Sequence, residues 1–181
     1  MAKKCKVCKV SYQPFSTISA VCSPVCAIAY AKTKQGIKHV EKAKRAEYRV
    51  AKENIKTKAT WAKEAQTAFN KYVRLRDNIR PCISCQRHHD GQYHAGHYLS
   101  VGSSPSLRFN VLNCHRQCAP CNNHLSGNIV LYRVNLIKKI GLDKLEWLEG
   151  PHEPNRYRIN ELKRIKKIFT IKAKRITRGN D

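Results

Sequence analysis

Cys82-Ile-Ser-Cys85 and Cys118-Ala-Pro-Cys121 open and close a block of chain that holds His88, His89, His94, His97, Asn110, Asn113 and His115, with Asn122 and His124 directly after it. Two Cys-x-x-Cys pairs offer four thiolates, the number a tetrahedral Zn²⁺ takes in a closed structural site. If both pairs share one ion, the loop between them is tied at its base. Such a loop, carrying histidines and asparagines, is a compact platform for a second, open metal site. The block is rich in Cys, His, Asn and Gly and poor in helical periodicity from about Pro81 to Gly127. A small irregular or β-rich core is therefore expected there, inside a chain whose flanks read as helical.

The same signature recurs at the amino terminus, where Cys5-Lys-Val-Cys8 precedes Cys22-Ser-Pro-Val-Cys26. Of nine cysteines only Cys114 lies outside the four pairs. The N-terminus lacks the apolar stretch of a secretion signal, which points to a reducing interior where metal ligation is a better use of paired cysteines than disulfides. Buried thiols acting as small hydrophobes are the competing reading, and for Cys114 alone it is the preferred one. Two structural Zn²⁺ sites are thus expected, one on Cys5, Cys8, Cys22 and Cys26, the other on Cys82, Cys85, Cys118 and Cys121.

The 181 residues carry 36 Lys+Arg against 12 Asp+Glu, a formal charge of +24. Such an excess repels itself in a compact chain unless a polyanion neutralises it, so nucleic acid is the first partner to consider and an anionic membrane surface the second. No apolar run has the length needed to span a bilayer, and no membrane association is expected. The 41% of hydrophobic residues suffices for a modest core.

Periodicity supplies the organisation. Residues 1–30 read as an N-terminal zinc knuckle, too short to fold without its ion. Residues 31–60, dominated by Lys, Arg, Ala and Glu, read as a basic helical linker. Residues 61–149 form the central domain: Trp61, Ala65, Ala68, Phe69, Tyr72 and Leu75 share one helical face, a helix expected to end at Arg80-Pro81. Beyond the cysteine block, Ile129, Tyr132, Leu136, Ile137 and Ile140 predict a helix stopping at Gly141, and Leu142, Leu145 and Leu148 a short segment after it. Residues 150–181 comprise a Pro/Gly turn and then a basic amphipathic helix marked by Ile159, Leu162, Ile165 and Phe169. The expected class is α+β, largely helical, with a small zinc-pinned core.

Tyr93-His-Ala-Gly-His97, Asn113 placed five residues before Cys118, and Cys118-x-x-Cys121-Asn122 resemble the HNH, or ββα-metal, nuclease motif. Across the wider chain, Cys82-Ile-Ser-Cys85, Ala95-Gly-His-Tyr98, Leu107-Arg-Phe-Asn110, Gln117-Cys118, Ser126-Gly-Asn128 and Tyr132-Arg133 resemble the NinG/Rap recombination proteins of lambdoid phages, as do the amino-terminal cysteines. That resemblance implies metal-dependent cleavage of branched DNA, four-way junctions and D-loops among them, in the cytoplasm of a bacterial host. It also implies cooperation with recombination machinery. A junction presents two scissile strands related by approximate symmetry, which a homodimer would match.

The resemblance assigns roles residue by residue. His97 is the general base, since a neutral imidazole can take a proton from water near pH 7. Asn113 orients the base or pins the loop. His94, Asn122 and His124 are the ligands for a catalytic Mg²⁺ or Mn²⁺, the softer His/Asn set admitting either. Many HNH sites carry an Asp directly before the base; here that residue is Gly96, and His94 is its substitute. Arg108, His115, Arg116 and Arg133 are candidate DNA contacts. His88 and His89 read as loop residues. A non-catalytic zinc DNA-binding protein accounts for charge and cysteines but leaves His97, Asn113 and Asn122 without a shared purpose. A sequence-specific HNH enzyme keeps the chemistry and changes the substrate, and an RNA-binding zinc protein would want exposed stacking aromatics that the scattered Tyr and Phe do not form.

Overall fold

The computed structural model describes residues 2–179 and divides into two compact units, one ending at Lys56 and one beginning at Thr57. In the first, β1 (Lys3–Lys4) pairs antiparallel with β2 (Ser11–Tyr12). Helix α1 (Pro24–Ala31) then starts as its sequence dictates. The Ser23 side chain accepts from the Cys26 N–H, and Pro24 fills the first turn, where a missing N–H costs nothing. Helix α2 (Lys34–Asn54) is capped by Thr33, whose side chain accepts from the Gly36 N–H. A side chain on Gly36 would run into the Tyr30 carbonyl, with its Cβ 1.9 Å from the oxygen; only glycine lets α1 and α2 meet at this corner. Cys5 and Gly36 are the buried residues of this unit among those described, so it has almost no apolar interior.

The second unit has two apolar layers separated by a β-hairpin. Helix α3 (Lys58–Arg76) is capped by Thr57 and lies along α6 (Ile159–Arg178). Trp61, Ala65, Phe69 and Val73 face Leu162 and Phe169, and Phe109 and Cys114 complete that layer. Strands β3 (Tyr93–His97) and β4 (Cys114–Cys118) pair antiparallel, with His94 opposite Gln117, Gly96 opposite His115 and His97 opposite Cys114. Across the hairpin, α4 (Ile129–Ile140) and α5 (Leu142–Glu149) supply Tyr132, Leu136, Leu145 and Leu148, which pack with Ile83, Tyr98 and Leu107.

The α+β, mostly helical class holds. Three boundaries differ from the sequence reading, one of them the end of α3, which stops at Arg76 rather than at Arg80-Pro81. Helix α3 begins at Lys58 rather than Trp61 because Thr57 caps it, and the break between units falls at 56/57. The terminal helix is not set apart from 61–149: its Leu162, Phe169 and Ala173 stripe is buried in the same unit as α3. No helix among the described residues is long and apolar enough to cross a membrane.

Phe69 is the keystone of the α3–α6 layer, fully buried, with edge-on ring contacts to Phe109 at 5.9 Å and Phe169 at 4.8 Å. Phe69→Ala is expected to destabilise the protein by about 3–5 kcal/mol, read as a lower denaturation midpoint. An unchanged midpoint would remove Phe69 from the core.

Candidate functional site

The two Cys-x-x-Cys turns that precede the other ligands have one geometry. In each, the N–H four residues after the first Cys returns to its carbonyl (Lys9 to Cys5, 3.0 Å; Gln86 to Cys82, 2.9 Å), and the first Cys N–H donates to the residue after that (Val10, 2.9 Å; Arg87, 3.0 Å). Lys9 and Gln86 occupy the left-handed region, at φ 64° and 55°, the position where glycine is easiest. These turns aim both sulfurs of a pair at one point. Cys5, Cys8, Cys22 and Cys26 gather with all Sγ atoms within 4.8 Å of one another, and Cys82, Cys85, Cys118 and Cys121 do the same. Corners of a ZnS₄ tetrahedron with bonds of about 2.3 Å lie about 3.8 Å apart. The observed Cys22–Cys26 separation is 3.8 Å and Cys85–Cys118 is 3.9 Å. Both groups could therefore hold zinc.

Protons are held unevenly within each group. Burial opposes ionisation of Cys85, but the His89 ring, 3.3 Å from its sulfur, and the Arg87 N–H outweigh it and bring the thiol down to about 6. Burial holds Cys118 up at about 12. Cys5 falls to about 6 because backbone N–H groups of Cys8, Val7 and Cys22 outweigh its burial, while the Cys8 hydrogen bond, with burial, raises Cys22 to about 12. A dication entering either group displaces the remaining protons.

His97 closes β3 on the face that packs against α3. Its Nε2 lies 2.9 Å from the Arg108 carbonyl, which only accepts, so Nε2 carries the proton and Nδ1 is the basic atom. Nδ1 faces the Cys114 sulfur at 3.8 Å. Cys114 is fully buried and burial keeps its thiol protonated, as expected for an inert core cysteine. Burial also lowers the His97 pKa, against the pull of the Arg108 carbonyl, which leaves the ring neutral at pH 7. Asn113 is fully buried; its Oδ1 accepts from the Leu99 N–H at 2.8 Å and its Nδ2 donates to the Leu99 and Leu107 carbonyls. It pins the loop that follows His97.

His94 lies three residues from His97 on a regular strand, so the two project from opposite faces of the hairpin. Gly96 is buried because the Gln117 carboxamide fills the space a side chain would need: a Cβ there would sit 2.1 Å from Gln117 Oε1. The Asp usual in HNH sites cannot be accommodated without displacing Gln117, whose Nε2 donates to Ser84 Oγ at 2.7 Å and to the Gly127 carbonyl. Asn122 and His124 lie together on one short helix. It is a single wide turn of π-helix, Pro120–His124, whose Leu125 N–H returns to the Pro120 carbonyl five residues back. Left-handed Ser126, Gly127 and Asn128 come next, before α4 begins; the chain must fold back here to bring Cys121 into its tetrad. Asn122 donates to Asn123 Oδ1 at 2.7 Å and His124 is exposed. Among the described residues, only the two cysteine groups bring three or more Cys, His, Asp or Glu ligand atoms together.

The candidate DNA contacts divide. His115 is 2% exposed and cannot touch DNA: its Nδ1 accepts from Arg76 at 2.9 Å and its Nε2 donates to the Leu112 carbonyl at 3.0 Å. Its place in the strand next to Cys114 gives no sign that the side chain turns inward. Arg133 is held by both Glu149 oxygens, at 2.7 and 2.9 Å. Arg116 stacks on Tyr93 at 3.5 Å and donates to the Asp77, Asn78 and Arg80 carbonyls at the end of α3. Arg108 donates to Gln66 at 2.8 Å.

Asp77, which no sequence motif marks, organises this region. It is 1% exposed, accepts from Arg76 at 3.0 and 2.6 Å, from Lys139 at 3.2 Å and from the Arg116 N–H at 3.2 Å. Burial opposes its ionisation, but the neighbouring His115 ring, Arg76 and Lys139 outweigh it and hold its carboxyl well below the usual range. A lone Asp at the end of a helix, flanked by Arg76 and Arg80, is the one signal the sequence offers.

A hairpin on a cysteine tetrad, with a loop-pinning Asn and a histidine at the strand end, defines the class: a small α+β protein with two Cys₄ groups able to hold zinc. Its sequence matches the family described as "NinG: Bacteriophage Lambda NinG protein" over residues 1–179, and the chain belongs to that family. It is 36% identical to protein ninG of Escherichia phage lambda and 35% identical to that of Salmonella phage P22, each over 95% of this chain and 92% of the relative. Protein ninG of Enterobacteria phage H19B is 37% identical over 91% of this chain and 88% of its own. No solved structure matches.

Metal content and acid sensitivity both test this arrangement. Elemental analysis of protein purified without chelator should find two zinc ions per chain; Cys82→Ser should lower this to one, and an unchanged count would dismiss the central tetrad. Asp77→Asn should cost about 3 kcal/mol by leaving Arg76 and Lys139 without their anion. Because the folded carboxyl titrates below its unfolded value near 3.9, this stabilisation is complete above that pH and is lost as pH falls beneath it. The difference between variant and wild type, measured by unfolding at pH 7 and at pH 3, should therefore shrink in acid.

Proposed function

We propose that the protein is a structure-specific DNA endonuclease that hydrolyses phosphodiesters in branched recombination intermediates, four-way junctions and D-loops, with His97 as general base and Mg²⁺ or Mn²⁺ as the catalytic ion. The observation that carries the reading is the neutral His97 at the end of a hairpin strand, oriented by the Arg108 carbonyl and followed by a loop that Asn113 pins. That is the arrangement a ββα-metal base requires: a fixed ring whose second nitrogen is free of a proton. His94, Asn122 and His124 are the groups that would hold the ion, which would serve as Lewis acid on the phosphate and the leaving oxygen. The charge of +24 supports a nucleic-acid substrate. A homodimer would match the two strands of a junction, and a monomeric mass in sedimentation on junction DNA would exclude it.

One observation favours a second reading, a zinc DNA-binding recombination or regulatory protein without catalysis. His97 Nδ1 faces a buried thiol, and His94 lies on the other side of the hairpin. One assay separates the two: labelled four-way junction and matched linear duplex, with Mg²⁺, Mn²⁺ or chelator, for wild type and His97→Ala. The nuclease reading expects metal-dependent cutting of the junction, reduced about 100-fold or more in His97→Ala with binding kept. The acidic limb of its pH–rate profile should lie below the ordinary histidine value of about 6.5, because activity needs the neutral ring and burial lowers its pKa. Tight binding without cutting in any metal would leave the second reading standing.

A further inference from the structure

Beside the end of α3, the second unit contains an open cavity of about 270 Å³ whose one residue in common with the candidate site residues is Arg116. Arg80, Arg116, Lys138 and Lys139 line it. Its one acid is Asp77, at the buried end, where both carboxylate oxygens are already taken by Arg76, Lys139 and the Arg116 N–H. His115 beside it is neutral, accepting from Arg76. Five cations, counting Arg76 behind the wall, thus face one carboxylate.

Donors are left over among the lining residues. Lys138 is exposed and makes no ion pair among the described residues, and Arg80 is 60% exposed with its nearest carboxylate oxygen 3.9 Å away. Arg116 spends Nη1 on backbone carbonyls and its face on Tyr93, which fixes the plane of its guanidinium. The two amides of the wall are turned to the backbone: Gln86 donates to the Cys82 and Ile83 carbonyls, Asn135 to the Ser84 and Leu131 carbonyls. Recognition here would rest on charge-assisted donors: the Arg80 guanidinium and the Lys138 ammonium, with the part of the Arg116 fork not held by carbonyls and Lys139 shared with Asp77, around a space that accommodates a tetrahedral oxyanion.

We propose that this cavity is a phosphate-binding pocket, taking either a backbone phosphodiester of nucleic acid or a free phosphate group. It requires a phosphate anion but no chemistry at His97, so it stands whether or not the protein cuts DNA. A phosphodiester seated here would be gripped on the α3–α4 side of the hairpin by residues anchored through Asp77, giving a strand a fixed register that exposed helical lysines do not supply.

The test compares Arg80→Ala/Lys138→Ala with Arg164→Ala/Lys167→Ala, an equal loss of exposed charge on α6, and with Lys138→Ala alone, which removes a side chain that has no ion-pair partner. Inorganic phosphate affinity is measured by calorimetry, and affinity for a short linear duplex by anisotropy across a salt series. The pocket pair should weaken phosphate binding about tenfold or more, or lower the DNA salt slope by about two, with Lys138→Ala intermediate and the α6 pair without effect on phosphate. Loss on DNA identifies the backbone phosphodiester as occupant; loss confined to inorganic phosphate identifies a free phosphate group. Equal behaviour of the pocket and α6 pairs on both probes would overturn the proposal and leave the cavity as part of a diffuse positive surface.

Discussion

Asp77 is a buried carboxylate in a protein with few acids, and the second unit is assembled around it. An isolated buried anion is costly, so its neighbours must supply donors. They come from the last turn of α3 through Arg76, from β4 through the Arg116 N–H, and from α4 through Lys139. Arg116 then places its guanidinium on the carbonyls at the end of α3, where the helix dipole favours a cation. A helix end, a strand and a second helix are thereby joined by polar contacts, which add to the apolar packing of the hairpin against α3 through Cys114 and Ala95. Removing the carboxylate would leave cations crowded together with nothing to reconcile them.

Much of the architecture is legible in the sequence because it rests on period and spacing. The Trp61–Leu75 stripe, the Ile129–Ile140 helix ending at Gly141 and the Leu162/Phe169 face all form where apolar periodicity places them. Both tetrads are legible because zinc fixes ligand number and the Cys-x-x-Cys turn fixes separation. Tertiary context sets the rest. Nothing local says that His115 points inward, that Gln117 fills the space above Gly96, or that α6 shares a core with α3. Nor does anything local say that Pro120–His124 widens to a π-helix where Cys121 joins its partners.

The hairpin also explains how one short sheet serves two environments. Ala95, His97 and Cys114 face the α3–α6 layer, while Gly96 and His115 face Tyr132, whose hydroxyl donates to the Gly96 carbonyl at 2.9 Å. Strand alternation divides the histidines of the motif between the layers. His97 is thereby held in a drier setting that keeps it neutral. His94 remains half-buried, its side chain without a hydrogen bond among the described residues.

In the first unit, coordination by the four cysteines would stand in for a core. Its interior amounts to a thiol cluster and the Gly36 corner between two helices. Where order comes from a metal instead of packed side chains, most positions are released from any requirement to be apolar. A sequence under that regime can fill its surface with lysine and arginine without emptying a core, as the exposed length of α2 does. If the thiol cluster holds zinc, the unit's order would be conditional on metal supply, and the ion would decide whether this part of the chain presents a charged surface or a loose cationic tether.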